Sequence, residues 1–217
     1  KVSCPAGVDA QAYIALTSMG KYKEAIKLVK ENNPLPLSIG RVCVRDCENA
    51  CRRNLVDEPV ACNYLKRYIA DVDKTEMWIP DLKPRNKKKI AVIGGGPAGL
   101  TCAYYLTLEG YSPTIFEKLP ELGGMLRYGI PEYRLPKKIL DEEINWILNL
   151  GVNKKTGIEL GKDFSVNSLF NEGYDSIFIG VGAHKAATMG LQNEDVTEGI
   201  FKGIDFLREV EMGEKPK

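Results

Sequence analysis

The chain has 217 residues, 44% of them hydrophobic, and a formal net charge of +1. That apolar content supports one large or two small domains and excludes global disorder. The near-neutral balance gives no basis for a nucleic-acid or anionic-membrane partner, and no apolar run approaches the ~20 residues of a membrane span.

Six cysteines are present: Cys4, Cys43, Cys47, Cys51, Cys62 and Cys102. Disulfide frameworks belong to short exported chains with poor cores, and no signal peptide is visible here. Clustered thiols therefore read as metal or cluster ligands in a reducing cytoplasm. The chain begins at Lys1 rather than Met, which suggests that residues precede it.

From the N-terminus, residues 1 to about 80 read as helical. In VDAQAYIALTSMGKYKEAIKLVKENNP, Tyr13, Ile14 and Leu16, then Ala25, Ile26, Leu28 and Val29, recur at helical spacing. Asp9 is the expected N-cap of the first helix, Gly20 separates it from the second, and Pro34 and Pro36 end the second.

RVCVRDCENACRR follows, with Cys43, Cys47 and Cys51 at every fourth position. If helical, these thiols would lie near one face. One reading is three small buried hydrophobes, although the residues between them are mostly polar. A second is zinc, which usually draws on closely paired cysteines. A third is an iron–sulfur cubane, with three thiolates from this segment and a fourth from Cys4, whose following Pro5 shapes the turn. Arg41, Arg45, Arg52 and Arg53 would offset cluster charge or form an ordinary solvated face. Cys62, on a third helix across PVACNYLKRYIADV, reads as core or as a neighbour of the cluster, and Cys102 as core. IPDLKPRNKKK, with two prolines and a basic run, reads as a linker with a boundary near residue 85.

The pattern then changes. KIAVI reads as a buried parallel strand, GGGPAGLTCAYYLTLEG as a glycine turn opening a helix, and SPTIFEK as a second strand. PKKILDEEINWILNLG is an amphipathic helix with Ile139, Leu140, Ile144, Ile147 and Leu148 on one face, and DSIFIGVGA a further buried strand. Alternating strand and helix predicts an α/β domain with a mostly parallel sheet.

Gly94-x-Gly96-x-x-Gly99 lies where strand meets helix. The first glycine permits a tight turn, the second lets backbone approach a pyrophosphate, and the third packs helix on strand. Glu117 ends the next strand, where an acid can bond adenosine ribose hydroxyls and would repel a 2′-phosphate. Strand, triplet, helix, strand and acid in that order point to a dinucleotide, with FAD and NAD both open. The glycine pair of ELGGML and the glycines of GVGA mark close backbone approach to a ligand, or ordinary loops. His184 reads as a loop residue, and Arg127, Tyr128, Tyr133 and Arg134 as groove lining or surface packing. No C-x₂-C or C-x₄-C pair occurs, which argues against a flavin disulfide reductase.

CPAGVD, NPLPLSIGRVCVRDCENACRR and EPVACNYLKRYIAD, then VIGGGPAGLTCAYYL, FEKLPELGGMLRYGIPEYRLP and IFIGVGAHKA, resemble the small (beta) subunit family of NADPH-dependent glutamate synthase. That family includes the N-terminal part of dihydropyrimidine dehydrogenase. The resemblance implies a helical N-terminal iron–sulfur domain, residues 1–85, then an incomplete α/β Rossmann-like FAD-binding domain, residues 86–217, with its NAD(P) domain missing. By position it carries [4Fe–4S] ligation onto Cys4, Cys43, Cys47 and Cys51. It carries FAD contacts onto Gly94, Gly96, Pro97, Ala98, Gly99, Glu117, Gly124, Met125, Leu126 and Gly182.

The resemblance further implies an electron-transfer module of a cytoplasmic NAD(P)H-dependent oxidoreductase with no catalytic side chain of its own. Electrons would pass between NAD(P)H, FAD and iron–sulfur centres to a larger catalytic or electron-accepting subunit, glutamate synthase alpha-like or ferredoxin-type. The chain departs from the family pattern in having no second glycine triplet and no cysteines upstream of Cys4, and it stops at EMGEKPK. It therefore reads as an N-terminal fragment, inactive with NAD(P)H by itself. The truncation leaves a second reading, a partner-docking module that binds no cofactor, against which Glu117 and GGML speak.

Overall fold

The computed structural model describes residues 2–76, 78–194 and 197–214; the last three residues of EMGEKPK lie outside this set. The chain divides into two compact units, Lys1–Pro84 and Arg85–Lys217.

The first unit is helical. α1 (Ala10–Ser18) is capped by Asp9, whose carboxylate accepts from the Ala12 N–H at 3.1 Å. Gly20 then takes φ +72°, and α2 (Tyr22–Lys30) follows. Pro36 does not end α2, which stops at Lys30. It opens α3 (Pro36–Val42), because a proline in the first turn forfeits no helical hydrogen bond. α4 (Asp46–Asn49), a 3-10 turn (Arg52–Leu55) and α5 (Cys62–Glu76) complete the unit. Tyr13, Ile26, Val29 and Ile69 form its core. Beside the core, Lys30 Nζ meets Asp73 Oδ2 at 2.6 Å, with both side chains under 10% exposed at 6% and 8%. Asp73 Oδ1 also accepts from the Trp78 N–H at 2.9 Å. A Cβ on Gly40 would stand 3.0 Å from Arg67 Cα, so the glycine lets α3 cross close to α5.

The second unit alternates strand and helix: β1 (Lys89–Ile93), α6 (Pro97–Leu108), β2 (Ser112–Glu117), α7 (Met125–Tyr128), α8 (Lys137–Asn149), β3 (Asn153–Thr156), α9 (Val166–Asn171), β4 (Ser176–Ile179) and α10 (Gly203–Glu211). The strands form one parallel sheet in the order β3-β2-β1-β4. β1 is interior and is buried at every position after Lys89, as an unbroken apolar run requires. α8 buries Leu140, Ile144 and Ile147 with Trp146, whose ring lies 5.6 Å from that of Tyr104.

β4 corrects an expectation. It is not buried: Phe178 and Ile179 are 36% and 56% exposed. It pairs with β1 on one side only and forms the edge of the sheet, so its apolar side chains lack the cover an interior strand receives. No helix of the described residues is long and apolar enough to cross a membrane.

Candidate functional site

The three-thiol segment is not one helix. Cys43 ends α3 in extended backbone, Arg45 turns the chain at φ 67°, α4 carries Cys47, and Cys51 is extended ahead of the 3-10 turn. The thiols leave the common face that a continuous helix would give them, and the backbone bends around them. The Arg45 N–H donates to Cys43 Sγ at 3.4 Å. Backbone N–H groups about Cys51, that of Val60 first and then that of Arg53, hold its thiol below the usual range and favour the thiolate, the form that binds metal.

Cys4 is half-buried against the helical core, and a turn closes over it through the Gly7 N–H to Cys4 O bond at 2.8 Å. Buried Tyr13 donates its hydroxyl to the Cys62 carbonyl at 2.7 Å. Burial, then the neighbouring Cys62, Cys47 and Cys4, push its phenol well above the ordinary value. Cys62 is the one buried cysteine of the six. Burial first, then the neighbouring Cys47, push its thiol up. The sequence offered no local sign of this neighbour.

Glu48, next to Cys47, accepts from the Asn63 N–H at 2.7 Å and stands 3.9 Å from Arg45. Arg41 and Arg53 face Asp71 and Asp57, each at 2.7 Å, so three of the four arginines are shared with carboxylates. Among the described residues no group of three or more His, Cys, Asp or Glu is arranged to hold a single metal ion. A cubane asks for something else: thiolates set apart around a larger body. The donor set here, cysteine sulfurs met by backbone N–H groups, fits that chemistry.

In the second unit the glycine turn is sterically determined. Gly94 adopts φ +106°, and a Cβ there would stand 2.3 Å from the Gly180 carbonyl oxygen. On Gly99 a Cβ would stand 1.8 Å from the Gly94 oxygen, so only glycine allows α6 to pack this close. Gly96 differs. It caps α6 at an ordinary φ of −79°, and a Cβ there would meet only Gly124 Cα, at 3.6 Å. The space before it is open, and no side chain caps the N–H groups of α6. Gly124, at φ +52°, approaches so closely that its Cβ would stand 2.7 Å from Gly96 Cα, and the Gly123 N–H to Gly95 O bond of 2.8 Å ties the two turns. Met125 and Leu126 open α7 behind them, Leu126 buried and Met125 half-buried.

Glu117 is buried. One carboxylate oxygen accepts from the Gly95 N–H at 2.7 Å and the other from the Leu119 N–H at 2.9 Å. A cleft of about 410 Å³ opens at the C-terminal ends of the strands, and Gly94, Glu117 and Gly182 lie in its wall. Gly96, Pro97, Ala98, Gly99, Gly124, Met125 and Leu126 do not; Pro97 and Ala98 are exposed on the first turn of α6. Lys118, His184 and Lys185 also line the cleft. His184 Nδ1 is buried without a protein partner, and burial, then Lys118, hold the imidazole below its usual range. Arg127 and Tyr128 serve packing instead. Arg127 donates to the Leu122 carbonyl at 2.6 Å and pairs with Asp141, and the Tyr128 hydroxyl accepts from the Glu121 N–H at 3.1 Å. Tyr133 and Arg134 are exposed. Cys102 is half-buried on α6.

Residues 1–78 match the family of dihydropyrimidine dehydrogenase domain II, 4Fe-4S cluster, and residues 92–154 match an NAD(P)-binding Rossmann-like domain. The NADPH-Fe(3+) oxidoreductase subunit beta of Geobacter sulfurreducens is 44% identical over 216 residues, covering 97% of this chain and 32% of the relative. The glutamate synthase [NADPH] small chain of Escherichia coli is 35% identical over 208 residues, covering 94% and 44%. The NAD-dependent dihydropyrimidine dehydrogenase subunit PreT of Salmonella typhimurium is 36% identical over 209 residues, covering 95% and 50%. The chain thus spans about a third to a half of the length of these curated relatives. Nearly all of this chain's length is thus similar to the glutamate synthase small chain and related oxidoreductase subunits.

Proposed function

We propose that this chain is the iron–sulfur and FAD-binding part of an NAD(P)H-dependent oxidoreductase subunit that passes electrons to a larger partner subunit. The observation that carries the reading is the presence, in one chain, of a thiol-rich helical unit and a parallel sheet whose glycine turn is held by the Glu117 carboxylate. FAD and a [4Fe–4S] cluster, when bound, supply hydride acceptance and one-electron transfer.

Residues 1–85 are the iron–sulfur domain, and Cys4, Cys43, Cys47 and Cys51 are its ligands. Each thiol gives up its proton as its sulfur binds metal. The Arg45 N–H orients the Cys43 sulfur, and the backbone N–H groups about Cys51 favour its deprotonated form.

Residues 86–217 bind FAD. The open backbone at Gly96 and the first turn of α6, with Pro97, Ala98 and Gly99, receive the pyrophosphate. Glu117 has two carboxylate oxygens with lone pairs beyond those used by Gly95 and Leu119, and accepts from the ribose. Gly94 and Gly182, both in the cleft wall, contact FAD, Gly182 near the flavin side, and Gly124, Met125 and Leu126 add further contacts. No side chain is assigned a catalytic role. The names of the relatives, an NADPH-dependent subunit beta among them, support NAD(P)H as donor and a separate subunit as acceptor. We place the reaction in the cytoplasm.

Anaerobic titration of the full protein with NADPH tests this. Flavin bleaching with a reduced-cluster EPR signal is expected, and in Cys47→Ser the bleaching persists while that signal is lost. An FAD-loaded protein whose flavin NADPH never bleaches would contradict the assignment.

A further inference from the structure

Arg45 stands in left-handed backbone, at φ 67° and ψ 37°. Among the described residues only Asn193 shares a positive φ without being glycine, and asparagine tolerates that region better than arginine does. A strained residue of this kind persists when its surroundings hold it, and three contacts hold Arg45. Its carbonyl accepts from the Glu48 and Asn49 N–H groups at 2.9 and 3.1 Å, which starts α4. Its guanidinium lies 4.6 Å from the centroid of the Tyr64 ring on α5. The same guanidinium stands 3.9 Å from one carboxylate oxygen of Glu48, whose other oxygen takes the Asn63 N–H at 2.7 Å. Both side-chain contacts therefore tie the bend in the thiol segment to the start of α5. At that bend the Arg45 N–H donates to Cys43 Sγ at 3.4 Å.

We propose that Arg45 is a positioning residue of the iron–sulfur site: gripped by Tyr64 and Glu48, it holds the bend that keeps a backbone donor on the Cys43 sulfur, and so raises the reduction potential of the cluster. The proposal rests on the cluster assignment above. A backbone N–H donates to sulfur whether that sulfur is free or bound to iron, so the donor needs no change of protonation. If residue 45 relaxed to right-handed or extended backbone, α4 would be redirected relative to α3, and the short segment carrying the N–H would shift with it. A hydrogen bond to a ligand sulfur stabilises the more negative, reduced cluster, which shifts the potential upward. The guanidinium charge acts in the same direction, and the test separates the two.

The test is an anaerobic, EPR-monitored redox titration of the full protein, followed on the signal that Cys47→Ser loses, with iron and acid-labile sulfide measured on the same samples. Arg45→Ala and Arg45→Gly both remove the guanidinium, but only glycine keeps left-handed backbone without strain. The expected order of potentials, highest first, is wild type, Arg45→Gly, Arg45→Ala, at wild-type iron and sulfide. Tyr64 is 56% exposed, so replacing it leaves the helical core in place. Tyr64→Leu, which alters no charge and no residue of the thiol segment, should lower the potential, and Tyr64→Phe, which keeps the ring, should stay near wild type. Should Arg45→Ala lose its cluster, the Tyr64 pair carries the test. Equal potentials in Arg45→Ala and Arg45→Gly, both below wild type, would overturn the proposal by leaving the arginine a charge alone. A wild-type potential in Tyr64→Leu, with the cluster intact, would overturn it and leave the cluster assignment standing. A wild-type protein that holds no cluster, even after anaerobic reconstitution, would overturn both.

Discussion

Glu48 and Asn63 are joined by a 2.7 Å hydrogen bond from backbone N–H to carboxylate. The bond ties the helix that carries Cys47 to the helix that begins at Cys62, and the donor is buried. Glu48→Ala leaves that N–H without its partner and destabilises the metal-free protein by about 1–3 kcal/mol. Glu48→Gln keeps an acceptor and costs less. Urea denaturation of the metal-free protein reads the stability, and the rate of iron loss to a chelator reads the cage; both should rank Ala, Gln, wild type from weakest to strongest.

Two of the turn glycines separate folding from binding. Gly99→Ala drives a methyl into the Gly94 carbonyl and costs about 3 kcal/mol or more. Gly96→Ala meets only Gly124 Cα, at contact distance, and leaves the melting temperature close to wild type. It nevertheless occupies the space assigned to the pyrophosphate and should abolish measurable FAD binding. Thermal melts beside FAD fluorescence quenching check the pair. Unchanged FAD affinity in Gly96→Ala would place the pyrophosphate elsewhere.

Glu117 holds the turn through Gly95 and faces the cleft. Glu117→Ala removes both roles and should weaken FAD binding at least tenfold, about 1.4 kcal/mol. Glu117→Gln keeps one carbonyl oxygen and should fall between. Equilibrium titration of apo-protein with FAD decides it.

In the helical unit, Lys30→Met strands the Asp73 carboxylate in a buried site and should cost about 3–5 kcal/mol. The double variant Lys30→Met, Asp73→Leu should recover part of that loss, because no unpaired charge remains. Denaturant midpoints of the metal-free proteins measure both.

His184 gives the cleft a pH signature. Its folded imidazole sits below the ordinary 6.5, through burial and then Lys118. Between the folded and unfolded values the unfolded chain binds more protons, so stability falls as pH drops below about 6.5. His184→Gln should flatten that part of the stability profile.

Legibility in the sequence followed the range of the interaction. Asp9 as a cap, KIAVI as an interior strand and the Gly94–Gly99 turn could be read because each constraint acts within a few residues. β3 could not: NKKT has no apolar alternation and is a strand because β2 pairs with it. The edge position of β4 is likewise a property of the sheet, not of IFI. The bend at Arg45 hid the arrangement of the thiols, since spacing alone suggested one helical face. The hydrogen bond from Asn63 to Glu48 joins two elements and left no mark in either segment.

The central claim is that one chain holds both a cluster and a flavin. The most direct measurement is iron, acid-labile sulfide and FAD in anaerobically purified protein, wild type beside Cys47→Ser. The account predicts iron and sulfide in near-equal amounts with stoichiometric FAD, and a loss of about four irons with FAD retained in Cys47→Ser. Wild-type protein without iron and sulfide, or a Cys47→Ser protein with undiminished iron, would contradict it.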